Sequence, residues 1–434
     1  MLNVIGIGQN NENISISAIN AIKESDVIVG YKKYIESIEH LIEGKEIIKK
    51  GMGDEIKRVE LAIEKAIEGK TVSLISSGDP GIFGMANVLF QILPKYNDIN
   101  NYNYSNNCNV IKDNGINSNG INNNKIKDAI DNDNKVNDGY NDENNLNIKI
   151  YPGVTAANYA ASLTGAPLHD FAAISLSDIL TPLNEIERKI KYAAIADLVL
   201  VIYNPISKTR KEPFRLFKRV LLENINPNTF ISIVDSSHYP SKVTITRLKN
   251  LDEKNVNMSS TLIVGNSMTY IENINFNGEN NSNNINKNNG KNYLITPRGY
   301  VVKSNIHPMA KAFYDRFLDV NTNNTYIGAN KTCQYYPCHD MNNQQCDFCF
   351  CPFYPCADGS TGGKWIKNSK NESIWSCEDC SWVHEENTVK CIKNKIYNIL
   401  TEVENLKSNK KELLKLRREC IYNTRRKIIV RNIE

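Results

Sequence analysis

The chain has 434 residues, 41% of them hydrophobic, and a formal charge of +4 from 52 Lys and Arg against 48 Asp and Glu. That length accommodates two or three domains with real cores, and so mild a charge does not by itself argue for nucleic acid. The start, Met1 to Gly8, lacks a basic region followed by a long apolar core, and no run approaches the roughly 18 apolar residues of a membrane span. The expectation is a soluble, cytoplasmic protein with no membrane partner.

Leu2 to Gly8 reads as a strand ending in Gly6-Ile7-Gly8. A dinucleotide fingerprint would need a third glycine at position 11, which is Asn11, so that motif is weak. A helix at Ile14 to Ser25 and a short strand at Asp26 to Tyr31 follow. A second helix, Asp54 to Glu68, carries Ile56, Val59, Ile63 and Ile67 on one face and Gly69 as its C-terminal cap. The apolar run Val72 to Ile75 reads as a buried parallel strand and Ala86 to Leu93 as a helix. Between them lies Ser76-Ser77-Gly78-Asp79-Pro80-Gly81-Ile82-Phe83-Gly84-Met85. Three glycines permit close backbone approach, Pro80 stiffens the turn, and the helix start offers unpaired N–H groups, which together describe a ligand loop. An ordinary strand-to-helix turn is the plainer alternative. Strand-helix alternation of this kind predicts an α/β domain with a mainly parallel sheet over residues 1–96.

From 97 to 147 the composition collapses into Asn, Asp, Lys and Ile, which buries too little apolar surface to offset ordering, so a disordered insertion is expected. Asn273 to Asn292 reads as a similar loop. A second α/β domain is expected over 148–303: strand Ile148 to Gly153, helix Val154 to Leu163, helix Leu183 to Ala196, and strand Leu198 to Tyr203. Helix Glu212 to Glu223 and strands Phe230 to Val234, Lys242 to Leu248 and Leu262 to Gly265 complete it. The alternation in Lys242 to Leu248 predicts an antiparallel, half-exposed component and hence a mixed sheet.

Several stretches together resemble one family, the tetrapyrrole methylases. They are the strand with Gly6-Ile7-Gly8, Ser77 to Gly84, Pro152-Gly153-Val154-Thr155-Ala156-Ala157, Tyr203-Asn204-Pro205 and Leu262-Ile263-Val264-Gly265-Asn266, in that order. Within the family, Gly51-Met52-Gly53, Ile174 to Pro182, Ser207-Lys208 and Thr296-Pro297-Arg298-Gly299-Tyr300 resemble the precorrin-3B or cobalt-factor III carbon-17 methyltransferases. The resemblance covers residues 1 to about 303 apart from the Asn-rich pieces. It implies two α/β domains with S-adenosylmethionine in the cleft between them, a tetrapyrrole substrate in cobalamin biosynthesis, methylation coupled to ring contraction, and a homodimer. Position by position it implies cofactor contacts at Gly8, Gly78, Asp79, Pro80 and Phe83, with Thr155 and Ala156 on the second domain's side and Tyr203 and Asn204 nearby. Gln9-Asn10 replaces the Gly-Pro expected after Gly8, and Phe83 stands where Tyr is commoner. Methyl transfer needs mainly positioning, which contributes roughly 7 to 11 kcal/mol, whereas ring contraction needs proton transfer. His169, Asp170 and Asp178 are the candidates for that, with turn or cap roles as the alternative. Lys208, Arg210 and Lys211 are candidates for the substrate's carboxylates, or else a solvated helix start.

Ten of the eleven cysteines lie after residue 332, and such clustering in a chain with no secretion signal suggests metal ligation rather than disulfides. A helix over Met309 to Leu318 leads into this part, 304–434. Cys333, Cys338, Cys346, Cys349, Cys351, Cys356, Cys377 and Cys380 exceed one tetrahedral site, leaving open two zincs, one zinc with spare thiols, or one iron–sulfur cluster. The stretch resembles a cysteine-rich small domain found beside corrinoid enzymes. The interleaved aromatics Tyr335, Tyr336, Phe348, Phe350, Phe353, Tyr354, Trp365, Trp375 and Trp382 are expected to form its only core around the metal, or to shield a redox centre or stack a macrocycle. A helical segment, Val389 to Arg426, carries the stripe Ile392, Ile396, Ile399, Val403 and Leu406, expected to pack on its own domain. Its basic end reads as a solvated face.

Three functions follow. The first is carbon-17 methylation of cobalt-factor III or precorrin-3B, with the tail delivering electrons from a donor partner. The second keeps the fold and methylates another precorrin, ribosomal RNA or a modified histidine. The third is a zinc-ribbon binding module on a non-catalytic scaffold.

Overall fold

Strand β1 (Leu2–Gly6) is buried at every position, and its side chains divide by the two-residue period of a strand. Leu2 and Val4 enter one core with Val27, Val29, Val72 and Leu74, while Ile5 enters another with Ile28 and Ile75. Both faces of a sheet are therefore covered, which is what all-parallel sheets require. In the computed structural model of the chain, residues 1–96, 146–237, 239–274, 291–298, 328–400 and 410–426 are described. The described residues divide into two units, Met1–Ala156 and the chain from Ala157 onward.

The first unit alternates β1, α1 (Ile16–Glu24), β2 (Val27–Tyr31), α2 (Lys32–Ser37), β3 (Glu46–Lys50), α3 (Glu55–Ile67), β4 (Val72–Ser76), α4 (Met85–Ile92) and β5 (Ile148–Tyr151). Its sheet order is β3-β2-β4-β1-β5, all parallel. Ser15 caps α1 by accepting from Ala18 N–H, and Gly69, at φ +86°, ends α3 with its N–H on Ala66 O. The sequence reading begins the second domain at 148, but β5 pairs with β1 from Leu2↔Ile148 to Ile5↔Tyr151 and so completes the first sheet. The insertion predicted over 97–147 lies outside the described residues up to 145.

The second unit holds α5 (Ala156–Thr164, from Ala157 on), β6 (Gly165–Ala166), β7 (Phe171–Ser175), α6 (Leu183–Ile195), β8 (Val199–Tyr203), α7 (Glu212–Asn224), β9 (Phe230–Asp235), β10 (Lys242–Arg247) and β11 (Ser260–Val264). Its main sheet has the order β10-β9-β11-β8-β7, in which only β7 and β8 run parallel. The predicted mixed sheet is thus present, with half-exposed β10 at one edge. Strands β12 (Tyr270–Ile274) and β13 (Lys291–Ile295) form a hairpin pair with Asn273↔Asn292 in register. Both ends of the predicted Asn-rich loop are therefore strand, and 275–290 lie outside the described residues.

The cysteine-rich part has its own core. Phe348, Phe353, Trp375 and Trp382 pack with Ile392 and Ile396 of α8 (Glu386–Leu400) and with Leu413, Leu416 and Ile421 of α9 (Lys410–Arg426). Four of the nine expected aromatics are in this core, whereas Tyr335, Phe350, Tyr354 and Trp365 are exposed, and aliphatic residues of two helices supply much of the remainder. The stripe packs on its own domain as predicted for Ile392 and Ile396, while Val403 and Leu406 lie outside the described residues, as does the predicted helix Met309 to Leu318. Cys391 of α8 and Cys420 of α9 form a disulfide, which corrects the expectation of thiolate chemistry alone in this region. The pair Arg417 to Asp358, at 2.5 Å, is buried on both sides, 1% and 0% exposed.

Candidate functional site

The ends of β4, β1 and β5 lie side by side at the carboxyl edge of the first sheet, where open α/β sheets take their ligands. Gly8 and Gly78 form an antiparallel bridge: Gly78 N–H donates to Gly8 O at 2.8 Å and Gly8 N–H to Gly78 O at 3.2 Å. Both need positive φ, +69° and +60°, which glycine adopts freely. A Cβ on Gly153 would meet Gly78 O at 2.1 Å, and one on Gly6 would meet the same oxygen at 2.6 Å. The three loops touch because Gly6 and Gly153 carry no side chain.

Asp79 fixes this arrangement. Its Oδ1 accepts from Gly81 N–H at 2.8 Å and its Oδ2 from Gly153 N–H at 3.1 Å, so one carboxylate shapes its own loop and fastens it to the loop after β5. Pro80 O accepts from Ala86 N–H in the first turn of α4. Phe83 sits at φ +52° with 57% of its surface exposed, an apolar side chain presented at the rim. Thr155 Cα and Ala156 N lie 3.6 and 3.8 Å from where a Gly78 Cβ would stand, so these two flank the cradle from within the first unit, not from a second domain. The side chain of Gln9 lies over Gly78 as well, with Nε2 3.1 Å from that Cβ position. Buried Oδ1 atoms of Asn10 and Asn13 have no partner, and Asn13 packs against Gly8. Such orphaned acceptors beside a backbone cradle suit a ligand that brings its own donors. Gly6, Gly153, Asn10 and Asn13 line or adjoin this cradle and were not among the sequence candidates, although a glycine at or just after the end of β1, β4 and β5 is a readable signal for the first two.

In the second unit, parallel β7 and β8 align Ser175 with Tyr203. Tyr203 is buried, and its hydroxyl accepts from Ala157 N–H at 3.1 Å in the first turn of α5. Asn204 adopts φ +49°, donates from Nδ2 to Ser175 Oγ at 3.0 Å, and accepts on its carbonyl from Arg210 Nη2 at 3.2 Å. Arg210 also donates to Leu176 O at 2.5 Å and pairs with Asp178 at 3.5 Å. The candidate substrate cation and the candidate catalytic carboxylate are therefore partners that brace one loop. Beside them Ile179 and Leu180 are 78% and 94% exposed, an apolar tip that sequence reasoning did not single out. Lys208 is exposed, and Lys211 pairs with Glu253 at 3.4 Å.

His169 and Asp170 are elsewhere. They precede β7 whereas Asp178 follows it, and a five-residue strand separates its ends by about 16 Å. The three catalytic candidates do not form one group. His169 Nε2 lies 3.4 Å from Asp170 Oδ2; burial lowers its pKa, with Asp170 opposing and Arg298 and Arg418 reinforcing.

The eight candidate metal ligands are all free thiols. Several face backbone or side-chain donors: Asn330 N–H on Cys346 Sγ at 3.4 Å, Phe353 N–H on Cys351 Sγ at 3.4 Å, and Gln344 Nε2 on Cys338 Sγ at 2.9 Å. Burial pushes Cys349 up to about 11, with Cys346, Cys338 and Cys333 adding to it. Cys377 is pushed to about 12 by burial, with Cys380 and Cys356 adding. As they stand, no three His, Cys, Asp or Glu side chains among the described residues are gathered tightly enough to hold an ion. The donor set itself, eight thiols with amide N–H groups directed at sulfur, has the chemistry of a thiolate metal site.

Residues 1–102 match the family model of tetrapyrrole (corrin/porphyrin) methylases and residues 324–407 that of a cysteine-rich small domain. A probable cobalt-factor III C(17)-methyltransferase of Methanothermobacter thermautotrophicus is 42% identical over 421 residues, 97% of this chain and 99% of the relative. One from Methanocaldococcus jannaschii is 34% identical over 317 residues, 70% of this chain and 100% of the relative. Among solved structures, that of the methyltransferase CobJ superposes with a TM-score of 0.50 at 28% identity, covering 62% of this chain and 95% of its own.

Proposed function

The chain belongs to the tetrapyrrole (corrin/porphyrin) methylase family, and from that membership we infer that it is a cobalt-factor III C(17)-methyltransferase of cobalamin biosynthesis. The observation that carries this reading is identity of 42% along 97% of the chain, which takes in the α/β units and the cysteine-rich part alike. We propose S-adenosylmethionine as the methyl donor, contraction of the macrocycle as the coupled step, and a homodimer as the assembly.

When bound, S-adenosylmethionine supplies a methyl group already activated on a sulfonium, so the chain's task is to hold and orient. Gly8, Gly78, Asp79, Pro80, Phe83, Thr155 and Ala156 are the residues proposed to hold it. Gly78 and Gly8 bring bare backbone to the ligand, and the partnerless Oδ1 atoms of Asn10 and Asn13 accept from its donors. Asp79 acts by position, keeping the Gly78 loop against Gly153. Tyr203 and Asn204 are further proposed cofactor contacts by family resemblance, and their own bonds shape the loop after β8. The exposed Ile179-Leu180 tip offers apolar surface to a flat macrocycle, and Lys208 offers a charge to its carboxylates. In the cysteine-rich part we propose that the thiols hold metal as thiolates. Zinc gives a structural role, and iron–sulfur gives a route for electrons from a donor protein.

The test is a mass spectrum of an anaerobic reaction of the full chain with S-adenosylmethionine and cobalt-factor III, with and without a low-potential reductant. Methylated, ring-contracted product is expected. Product only with reductant assigns the tail to electron delivery, and product in both assigns it to structure. Methyl incorporation into RNA and not into the tetrapyrrole overturns the substrate.

A further inference from the structure

The cysteine-rich part contains the same clasp twice. Cys333-Gln334-Tyr335-Tyr336-Pro337-Cys338 and Cys351-Pro352-Phe353-Tyr354-Pro355-Cys356 share the pattern Cys-x-x-Tyr-Pro-Cys. In each the tyrosine N–H donates to the carbonyl of the first cysteine, Tyr336 to Cys333 at 3.0 Å and Tyr354 to Cys351 at 3.2 Å. Each clasp is followed by a Cys-x-x-Cys turn of one geometry. Cys349 N–H donates to Cys346 O at 3.3 Å, and Cys380 N–H donates to Cys377 O at 3.0 Å.

The backbone joins each clasp to the turn that follows it. Asn330 N–H donates to Cys346 Sγ at 3.4 Å while Asn330 O accepts from Cys333 N–H at 3.2 Å, tying the first clasp to the first turn. Gln344, 1% exposed, donates to Cys338 Sγ and accepts from His339 N–H at 3.0 Å, holding the end of that clasp just ahead of Cys346. In the second pair the Tyr354 hydroxyl donates to Trp375 O at 3.0 Å, two residues before Cys377. Thr361 Oγ1 lies 3.9 Å from Cys356 Sγ, and a Cβ on Gly362 would meet Cys380 Cα at 3.3 Å.

We infer that the eight cysteines form two separate four-thiolate sites, Cys333/Cys338/Cys346/Cys349 and Cys351/Cys356/Cys377/Cys380, each for one tetrahedral ion of the zinc class. This rests on the proposal that these thiols hold metal and deepens it. Two ligands from a clasp and two from a turn give the four-coordinate set that structural zinc takes. A bound ion would be held by the four sulfurs as thiolates, and loading would release up to four protons per ion. The two sites differ in access. Cys338 and Cys349 of the first are exposed, whereas no cysteine of the second is, and Cys356 and Cys380 lie in the core with Phe353 and Trp382. A cavity of about 290 Å³ is lined by Cys349 together with Cys351, Cys377 and Cys380, so the competing arrangement is one cluster held there by those four.

Elemental analysis of the full chain, purified anaerobically, decides between them. Two zinc ions per chain, no acid-labile sulfide, and release to a colorimetric chelator in one fast and one slow phase of equal size are expected. The exposed Cys349→Ser variant should keep one ion and lose the fast phase. Cys349→Ser combined with Cys377→Ser should keep none. Loss of all metal from Cys349→Ser alone, or iron with sulfide in the unmodified chain, overturns the two-site assignment while leaving metal binding intact. Absence of metal altogether, with no uptake of added zinc by the reduced chain, overturns both. The unmodified chain alone reports stoichiometry and phases, so a variant that fails to fold does not shelter the inference.

Discussion

Gly153 shows how little room the cradle leaves. Its missing side chain lets the loop after β5 sit on Gly78 O, and a methyl group there would stand 2.1 Å from that oxygen and 2.8 Å from Gly6 C. Backbone cannot yield as a flexible side chain can, so Gly153→Ala is expected to cost about 1 to 3 kcal/mol of stability and to weaken S-adenosylmethionine binding in calorimetry. Wild-type affinity and melting together would contradict the close-contact account. His384 is a second residue-scale case. It is 5% exposed, its Nδ1 faces Gln345 O at 2.8 Å, and burial holds its pKa below the ordinary 6.5, with the Gln345 bond opposing and His339 reinforcing. A lowered histidine pKa means that the unfolded chain takes up the proton first. The stability it contributes is complete above about 6.5 and is lost as pH falls through the folded value. Chemical denaturation between pH 8 and pH 5 should show this loss, and His384→Gln should flatten it. Equal pH slopes in the two proteins would remove His384 as its source. Residue types also explain what could be read in advance. Gly78 and Asp79 were legible as part of a glycine-rich loop between a strand and a helix, a pattern that an ordinary turn shares, whereas His169, Asp170 and Asp178 looked alike in sequence and are separated by the strand between them.

At the scale of elements, α9 is seated by both apolar and ionic contacts. Leu413, Leu416 and Ile421 enter the core, and Arg417 reaches Asp358, whose other oxygen accepts from Ser360 N–H at 3.0 Å. Breaking a buried pair from one side strands a charge. Arg417→Met should therefore cost about 3 to 5 kcal/mol, while Arg417→Met with Asp358→Leu should recover most of it. A double-mutant cycle in urea measures both, and a double variant no better than the single one would refute the pairing argument. Elements with strong periodicity or β-branched runs were legible: α3, β4, β8 and the half-exposed β10 are where the patterns put them. Those missed had weak patterns. Strand β3, Glu46–Lys50, is an edge strand with two lysines. Strands β12 and β13 are flanked by Asn-rich sequence that drowns a five-residue signal, and β5 was assigned to the wrong sheet because pairing over a long insertion leaves no trace in local sequence.

For the whole molecule, the described residues hold four separate hydrophobic cores: one on each face of the first sheet, one around the mixed sheet, and one in the cysteine-rich part. A chain of this kind does not melt as one two-state unit. Calorimetry should resolve more than one transition. The Cys391 to Cys420 disulfide, spanning 29 residues, contributes about 3 to 4 kcal/mol in the chain-entropy picture. Cys391→Ala with Cys420→Ala should lower only the transition of the cysteine-rich core, and a uniform shift of every transition would show that the cores unfold together. Fold class, and the division into α/β and cysteine-rich parts, could be read from strand-helix alternation and from where the cysteines cluster. The disulfide could not, because Cys391 and Cys420 sit at ordinary helical positions and meet only when two helices pack.

The Arg417 to Asp358 pair has a further effect, on registration. Helix α9 carries apolar residues three and four apart, so a slide of one turn, about 5.4 Å, would bring aliphatic side chains to much the same surface at small cost. It would also leave a guanidinium and a carboxylate buried without each other. The ion pair thereby acts as an index pin: among several seatings that oil-like contacts would tolerate, it admits one, and with it one placement of Cys420 opposite Cys391.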